Sequence, residues 1–399
     1  QPPAVAGGGA PAVGGGTAPD VAAGGTAAAA TGPVPTFSIS PTAERRKYDF
    51  FGKEFRDNFI TPLEGHPSLT DENSSQFSLM CCFRSDHKDP SRQWLLGNLS
   101  ARAPGRPYLV MFHGLTLDNK DHSDPYKRLI LERSDFLYLH FDLRGHRTYD
   151  DGVAPLPGVT VAPPLFFQGP APRLDRVPPY TLTFRGSLRI RNSMGPTHPR
   201  RMIAQVVKHQ DLVDRKDVAI EWLDTALPDY LQGGDRLVKQ TDRERYMELM
   251  DTKFVLILRG VDRWSYRFSE TIGACAIPVL ISYAPDVGLT LPYEELIDWG
   301  KYAVVLSRKL GVKTEQEALR VLNVTPRLLV DSLPSDLATI QSMRRRICAL
   351  NDEFFSTARK RAEAALRAAA VRLTRPRWPL GQGGATNIRG GVVEGGTKK

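Results

Sequence analysis

The sequence predicts an α/β protein whose second half forms a doubly wound parallel sheet. Three observations predict it. Short continuous apolar runs recur at Tyr180–Gly186, Val218–Trp222, 254–258, 277–282 and 303–306, the pattern of strands buried on both faces. Helical patterns at 200–209, 242–250 and 266–275 fall between them, so element types alternate. A stretch at 169–179 with prolines at 170, 172, 178 and 179 favours extended chain and splits this half from what precedes it.

Residues 1 to about 40 are Ala, Gly, Pro and Val with almost no charge, and cannot build a core. From Ala43 the composition becomes globular. Aromatics cluster at Tyr48, Phe50, Phe51, Phe55 and Phe59, where core is the commoner use than a ligand platform. Residues 107–113 read as a buried strand ending at His113, and 136–142 as another ending at Asp142; a helix is expected between them at 126–134. Open α/β sheets bind ligands at strand carboxyl ends, so His113 and Asp142 are candidates for chemistry. A satisfied structural His is the plainer reading of His113. Residues 159–167 follow. After 303–306, a helix starts near Asp336 and its pattern runs to about Leu373. The Ala-rich end at 361–370 has few large apolar side chains and reads as exposed or frayed, and the Arg/Gly/Pro-rich residues from Thr374 as disordered.

The chain is organised around residues 254–299, which read as strand, loop, helix, strand. Ser265 stands where an N-cap would. A helix start offers free N–H groups and partial positive charge, both suited to phosphate. Arg259 and Arg267 add cationic forks, and Gly260 lets a ligand approach the backbone. Glu270, three residues beyond Arg267, shares its helix face and suits ribose hydroxyls. The bland alternative is a structural salt bridge of Glu270 with Arg267 or Arg263.

This stretch resembles the nucleotide-sugar signature of the exostosin-like glycosyltransferases, roughly F-x-L-x-P-R-G, S-x-R-x-x-E-A, G-C-x-P-V-x-x-S, L-P-F and D-W. The matching residues are Phe254, Leu256, Arg259, Gly260, Ser265, Arg267, Glu270, Cys275, Pro278, Val279, Ser282, Leu291, Pro292 and Trp299. Leu258 replaces the usual Pro and Thr271 the usual Ala, so no charged group is lost. Tyr180–Gly186 is similar to the family's Y-x-L-x-F-x-G, which places Arg185 and Gly186 on the donor side.

The resemblance implies a GT-B arrangement, two Rossmann-like doubly wound domains facing across a cleft, with a short or divergent N-terminal domain. The expected division is a low-complexity stem at 1–42, an acceptor-side domain at 43–170, a linker at 171–179, a nucleotide-sugar domain at 180–373 and a basic tail at 374–399. It also implies transfer of a sugar from a nucleotide diphosphate sugar, a UDP-sugar, to a glycan or glycoprotein acceptor, with inversion. Arg185, Gly186, Arg259, Gly260, Ser265, Arg267 and Glu270 would hold the donor, and the candidates for the base are His113 and Asp142, named for their place at strand ends and not by alignment to the family. A Golgi or secretory-pathway lumen is expected, with an upstream signal anchor as one option because the chain begins at Gln1. The other class is a catalytically inactive glycan-binding or partner subunit.

Charge and cysteine narrow these readings. Net charge is +9, which suits an anionic partner, but much of the excess lies at 344–346 and 359–377. A nucleic-acid binder rests on that charge alone. Cys81, Cys82, Cys275 and Cys348 show no CxxC spacing, and no D-x-D motif sits in a suitable loop, so no metal or other cofactor is expected. Which cysteines pair is open. Sequons at Asn73, Asn98 and Asn323 are compatible with a secretory lumen. No apolar run reaches the roughly 18 residues of a membrane span.

Overall fold

The computed structural model describes residues 32–39, 56–71, 73–83, 108–112, 136–140, 158–162, 167, 169–187, 197–222, 240–260, 265–283 and 289–374. Among them the strands form two five-stranded sheets, parallel throughout.

The first sheet holds β1 (Phe37–Ile39), β2 (Phe77–Phe83), β3 (Tyr108–Phe112), β4 (Phe136–His140) and β5 (Gly158–Thr160), in the order β1-β2-β3-β4-β5. The expected strands before His113 and Asp142 are there as β3 and β4. β1 corrects the expectation of an unstructured stem reaching residue 42. Phe37 is fully buried, its N–H bonds Ser68 O at 3.0 Å, and its carbonyl accepts from Thr70 N at 2.8 Å. Only two large apolar side chains, Phe37 and Ile39, mark this strand beside the Ala/Gly-rich stretch. The strand order is a second correction. Each crossover adds the next strand on the same side, so this sheet has no reversal and is not doubly wound among the described residues.

The second sheet holds β6 (Tyr180–Gly186), β7 (Val218–Trp222), β8 (Thr252–Ile257), β9 (Ile277–Leu280) and β10 (Val304–Val305), in the order β10-β9-β8-β6-β7. Here the order does reverse, between β6 and β8. Alternate residues of the β8 run face opposite ways. Phe254, Leu256 and Leu258 join one core, Val255 and Ile257 the other.

Nine α-helices are described: α1 (Pro199–Val206), α2 (Gln210–Val213), α3 (Gln240–Met250), α4 (Tyr266–Gly273), α5 (Leu306–Lys309), α6 (Glu315–Val324), α7 (Leu328–Asp331), α8 (Leu337–Leu350) and α9 (Ala358–Thr374). Ile203 and Val206 of α1 and Leu319 and Leu322 of α6 cover one face of the second sheet. Phe268 and Ile272 of α4 and Ile347 of α8 cover the other. Helices on both faces make this sheet doubly wound, as its sequence pattern predicts. The expected long C-terminal helix is two helices, α8 and α9, joined by a π-helical turn at Asn351–Phe355. Asp336 caps α8 by accepting from Thr339 N at 2.7 Å. A disulfide joins Cys275, at the turn before β9, to Cys348 of α8.

The Ala-rich end is neither exposed nor frayed. Ala362, Ala364, Ala365, Leu366, Ala368 and Ala369 are buried, and α9 packs on β5 and on the turns at Arg56–Ile60 and Thr61–Leu63. Small side chains let a helix lie close against its neighbours, so burial here needs no large residue. Tyr293 completes the joint. Its N–H donates to Thr160 O at 2.8 Å, and its hydroxyl donates to Arg361 O at 2.9 Å. Among the described residues no helix is long and apolar enough to cross a membrane.

Candidate functional site

The strand order reverses between β6 and β8, and in doubly wound sheets ligands bind outside the strand carboxyl ends at such a switch point. Arg185 and Gly186 end β6. Arg259 and Gly260 follow β8, and Ser265 opens α4. The donor-side residues expected from sequence therefore converge on one place. A Cβ at Gly186 would sit 2.6 Å from the buried Phe184 ring, so the bare backbone is required there.

Arg267 is the hub. Its Nη2 donates to Arg185 O at 2.7 Å, its Nη1 meets Glu270 Oε2 at 2.8 Å, and its guanidinium stacks 4.9 Å from the Tyr246 ring centre. Both Arg267 and Glu270 are 16% exposed. The Arg267–Glu270 salt bridge is thus formed, and it stands on a mostly buried face of α4. Burial pushes the Glu270 carboxyl above the ordinary range, against the pull of Arg267 and a hydrogen bond from Tyr246. Burial likewise pushes the Tyr246 phenol up, helped by the Glu270 charge.

Arg259 is held from the side. Its Nε meets Glu315 Oε2 of α6 at 3.1 Å. Arg185 lies 3.8 Å from Glu221 Oε2, and Glu221 in turn pairs with Arg245 at 2.6 Å. Ser265 has extended N-cap backbone, but its side chain makes no capping bond. Its carbonyl does accept from Phe268 N at 3.1 Å.

Two further residues at this site stand outside the candidates drawn from the sequence. Arg200 donates through Nη1 to Ser187 O at 2.7 Å, through Nε to Arg259 O at 3.0 Å, and through Nη2 to Leu258 O at 3.4 Å. His198 lies 3.0 Å from Gly260 O through Nε2, and its Nδ1 accepts from Arg200 N at 3.2 Å. A carbonyl only accepts, so Nε2 carries the proton and the ring is the neutral Nε2–H tautomer. Burial pushes the His198 imidazole down to about 4, with Arg259, Arg200 and Arg201 adding to it and the Gly260 carbonyl opposing. The available sequence clue was His198-Pro199 opening a helix, a Pro at the first helical position.

His113 and Asp142 lie outside the described residues. The strands leading to them end at Phe112 and His140. No group of His, Cys, Asp and Glu suited to a metal ion occurs among the described residues.

The fold defines a class, doubly wound α/β proteins, whose ligands bind at the switch point outside the strand carboxyl ends. Comparison with known proteins narrows this class. The model of the Exostosin GT47 domain matches residues 108–321, and the chain belongs to that family. It is 37% identical over 70 residues to zebrafish (Danio rerio) Exostosin-1a, covering 17% of this chain and 9% of that protein. It is 32% identical over 114 residues to the Exostosin-1 homolog of Caenorhabditis elegans, covering 27% of this chain and 29% of that protein. The matches thus span less than a third of these relatives' length.

Proposed function

We propose that the protein is a glycosyltransferase that moves a sugar from a nucleotide diphosphate sugar, a UDP-sugar, to a glycan or glycoprotein acceptor. Family membership points to glycosyl transfer. The observation that carries the donor assignment is the convergence of Arg185, Gly186, Arg259, Gly260, Ser265, Arg267 and Glu270 on the switch point. In this reading Arg259 and the start of α4 face the diphosphate, Arg267 shapes the site from beneath, and Glu270 reaches the ribose. The two sheets supply the halves of a GT-B cleft, with the acceptor on the side of the first sheet. The reaction is a single inverting displacement. The acceptor oxygen forms a bond to the anomeric carbon while that carbon's bond to the diphosphate oxygen breaks. The nucleoside diphosphate leaves with the electron pair, and His113 or Asp142 takes the acceptor proton. Negative charge grows on the leaving oxygen. Fixed arginines stabilise it more in the transition state than in the ground state, without a metal ion. A Golgi or secretory-pathway lumen is the expected setting.

A second reading, an inactive partner subunit, is favoured by one observation. Arg259 and Arg267 each already hold a carboxylate, Glu315 and Glu270. Thermal shift against a panel of nucleotide sugars tests donor binding, because a ligand that binds only the folded state raises Tm. Release of free sugar from the stabilising donor then separates the readings. Release supports the enzyme, and a Tm rise with no release or transfer supports the subunit.

A further inference from the structure

The carboxyl ends of parallel strands present backbone carbonyls, and carbonyl oxygens repel an anion. At the switch point between β6 and β8 four of them cluster: Ser187 after β6, and Leu258, Arg259 and Gly260 after β8. Two side chains of one short segment cover all four. Arg200 donates to the first three at 2.7, 3.4 and 3.0 Å, and His198 donates to the fourth at 3.0 Å. The two are themselves linked, Arg200 N to His198 Nδ1 at 3.2 Å. Arg200 therefore ties the end of β6 to the end of β8 across the switch point, and it does so with a permanent charge. Its guanidinium also lies 6.0 Å from the Phe184 ring centre, beside the contact that requires Gly186.

We propose that His198 and Arg200 are positioning residues that turn carbonyl-lined strand ends into a floor that accepts a diphosphate. They fix the spacing of the two strand ends and occupy the lone pairs that would oppose the ligand. This rests on the reading of the switch point as the donor site. The proposal differs from a direct phosphate contact, because the donors of Arg200 are directed at the backbone. It also differs from a purely structural clip, because a clip without electrostatic consequence would affect charged and neutral ligands alike.

The test is isothermal titration of inorganic pyrophosphate, uridine diphosphate and uridine into wild type and variants. Arg200→Gln is expected to weaken pyrophosphate and uridine diphosphate by roughly tenfold or more, the scale of a lost charge-assisted hydrogen bond, and to leave uridine nearly unchanged. Arg200→Lys keeps the charge and loses the fork, so it falls between. His198→Ala weakens the same two ligands. His198→Gln restores them in part, since its longer amide reaches the position from which Nε2 donates to Gly260 O. The His198 pair keeps the test decisive if Arg200→Gln fails to fold. Equal loss for uridine and pyrophosphate would overturn the proposal in favour of a structural clip. Unchanged pyrophosphate affinity in all variants would overturn it outright. If wild type binds neither diphosphate, the donor-site reading itself fails and takes the proposal with it.

Discussion

Glu270→Gln separates what Glu270 does for the fold from what it does for a ligand. The carboxylate meets Arg267 Nη1 at 2.8 Å with both side chains 16% exposed. Breaking a fully buried ion pair costs about 3–5 kcal/mol. Here the Gln oxygen still accepts from Arg267, and partial exposure admits water, so the expected stability change shrinks to about 1 kcal/mol. The raised Glu270 carboxyl points the same way, because burial outweighs the attraction of Arg267 for the ionised form. A raised acid holds its proton more tightly folded than unfolded. From the ordinary 4.5 up to the higher folded value, stability therefore falls as pH rises. Glu270→Gln should remove that part of the slope, read by urea melts across the window.

Binding should respond differently. Losing a charged partner for ribose hydroxyls costs about 1.5–3 kcal/mol, or about 10- to 150-fold in affinity. Titration calorimetry should show that loss for uridine diphosphate, and little change for pyrophosphate, which has no ribose. An equal loss for both ligands would refute the reasoning. Glu270 would then act only by holding Arg267 against Arg185 O and the Tyr246 ring.

Three further outcomes are expected. Arg267→Lys cannot serve Arg185 O and Glu270 together while stacking on Tyr246, so uridine diphosphate affinity should fall in calorimetry; unchanged affinity would count against Arg267 as the hub. In the proposed reaction arginines take the place of a cation, so turnover should persist in EDTA, and loss with recovery on adding manganese would sink that view. Removal of residues 1–31 should leave the urea midpoint unchanged, whereas Phe37→Ala, at a fully buried position, should cost about 3–5 kcal/mol; a midpoint indifferent to Phe37 would return β1 to the stem.

The second sheet was legible because its strands are buried on both faces. Residues 254–258 have no polar position to confuse the pattern, and both cores claim them. The arginines and glycines at the site were legible as types at fixed spacing. What they touch was not. Arg200 bonds carbonyls 58 and 59 residues away, and His198 one 62 residues away. Any residue type offers a carbonyl, so such contacts leave no pattern. Glu315 meets Arg259 from 56 residues away, a separation that likewise leaves no pattern. Strand β2, Phe77–Phe83, is an apolar run of the same kind and was legible in the sequence, but was not read as a strand. α9 was misjudged because alanine was weighed by size, when its smallness is what lets the helix pack closely.

The matched signature does not serve a single purpose. In its first part, Arg259, Gly260, Arg267 and Glu270 lie at the switch point. Its last part, from Leu291 to Trp299, does not. Leu291, Tyr293 and Trp299 are buried, and Trp299 donates through Nε1 to Pro292 O at 2.9 Å while its ring meets Phe268 edge-on at 4.7 Å. Tyr293 then bonds backward to Thr160 of β5 and forward to Arg361 of α9. Phe268 stands one residue beyond Arg267 on α4. The helix that carries the hub of the site on one face therefore packs, through its other face, on the residues that fasten the first sheet to the second. The Leu-Pro-Tyr and Asp-Trp positions are thus read as a joint, and the Arg-Gly and Arg-x-x-Glu positions as the site.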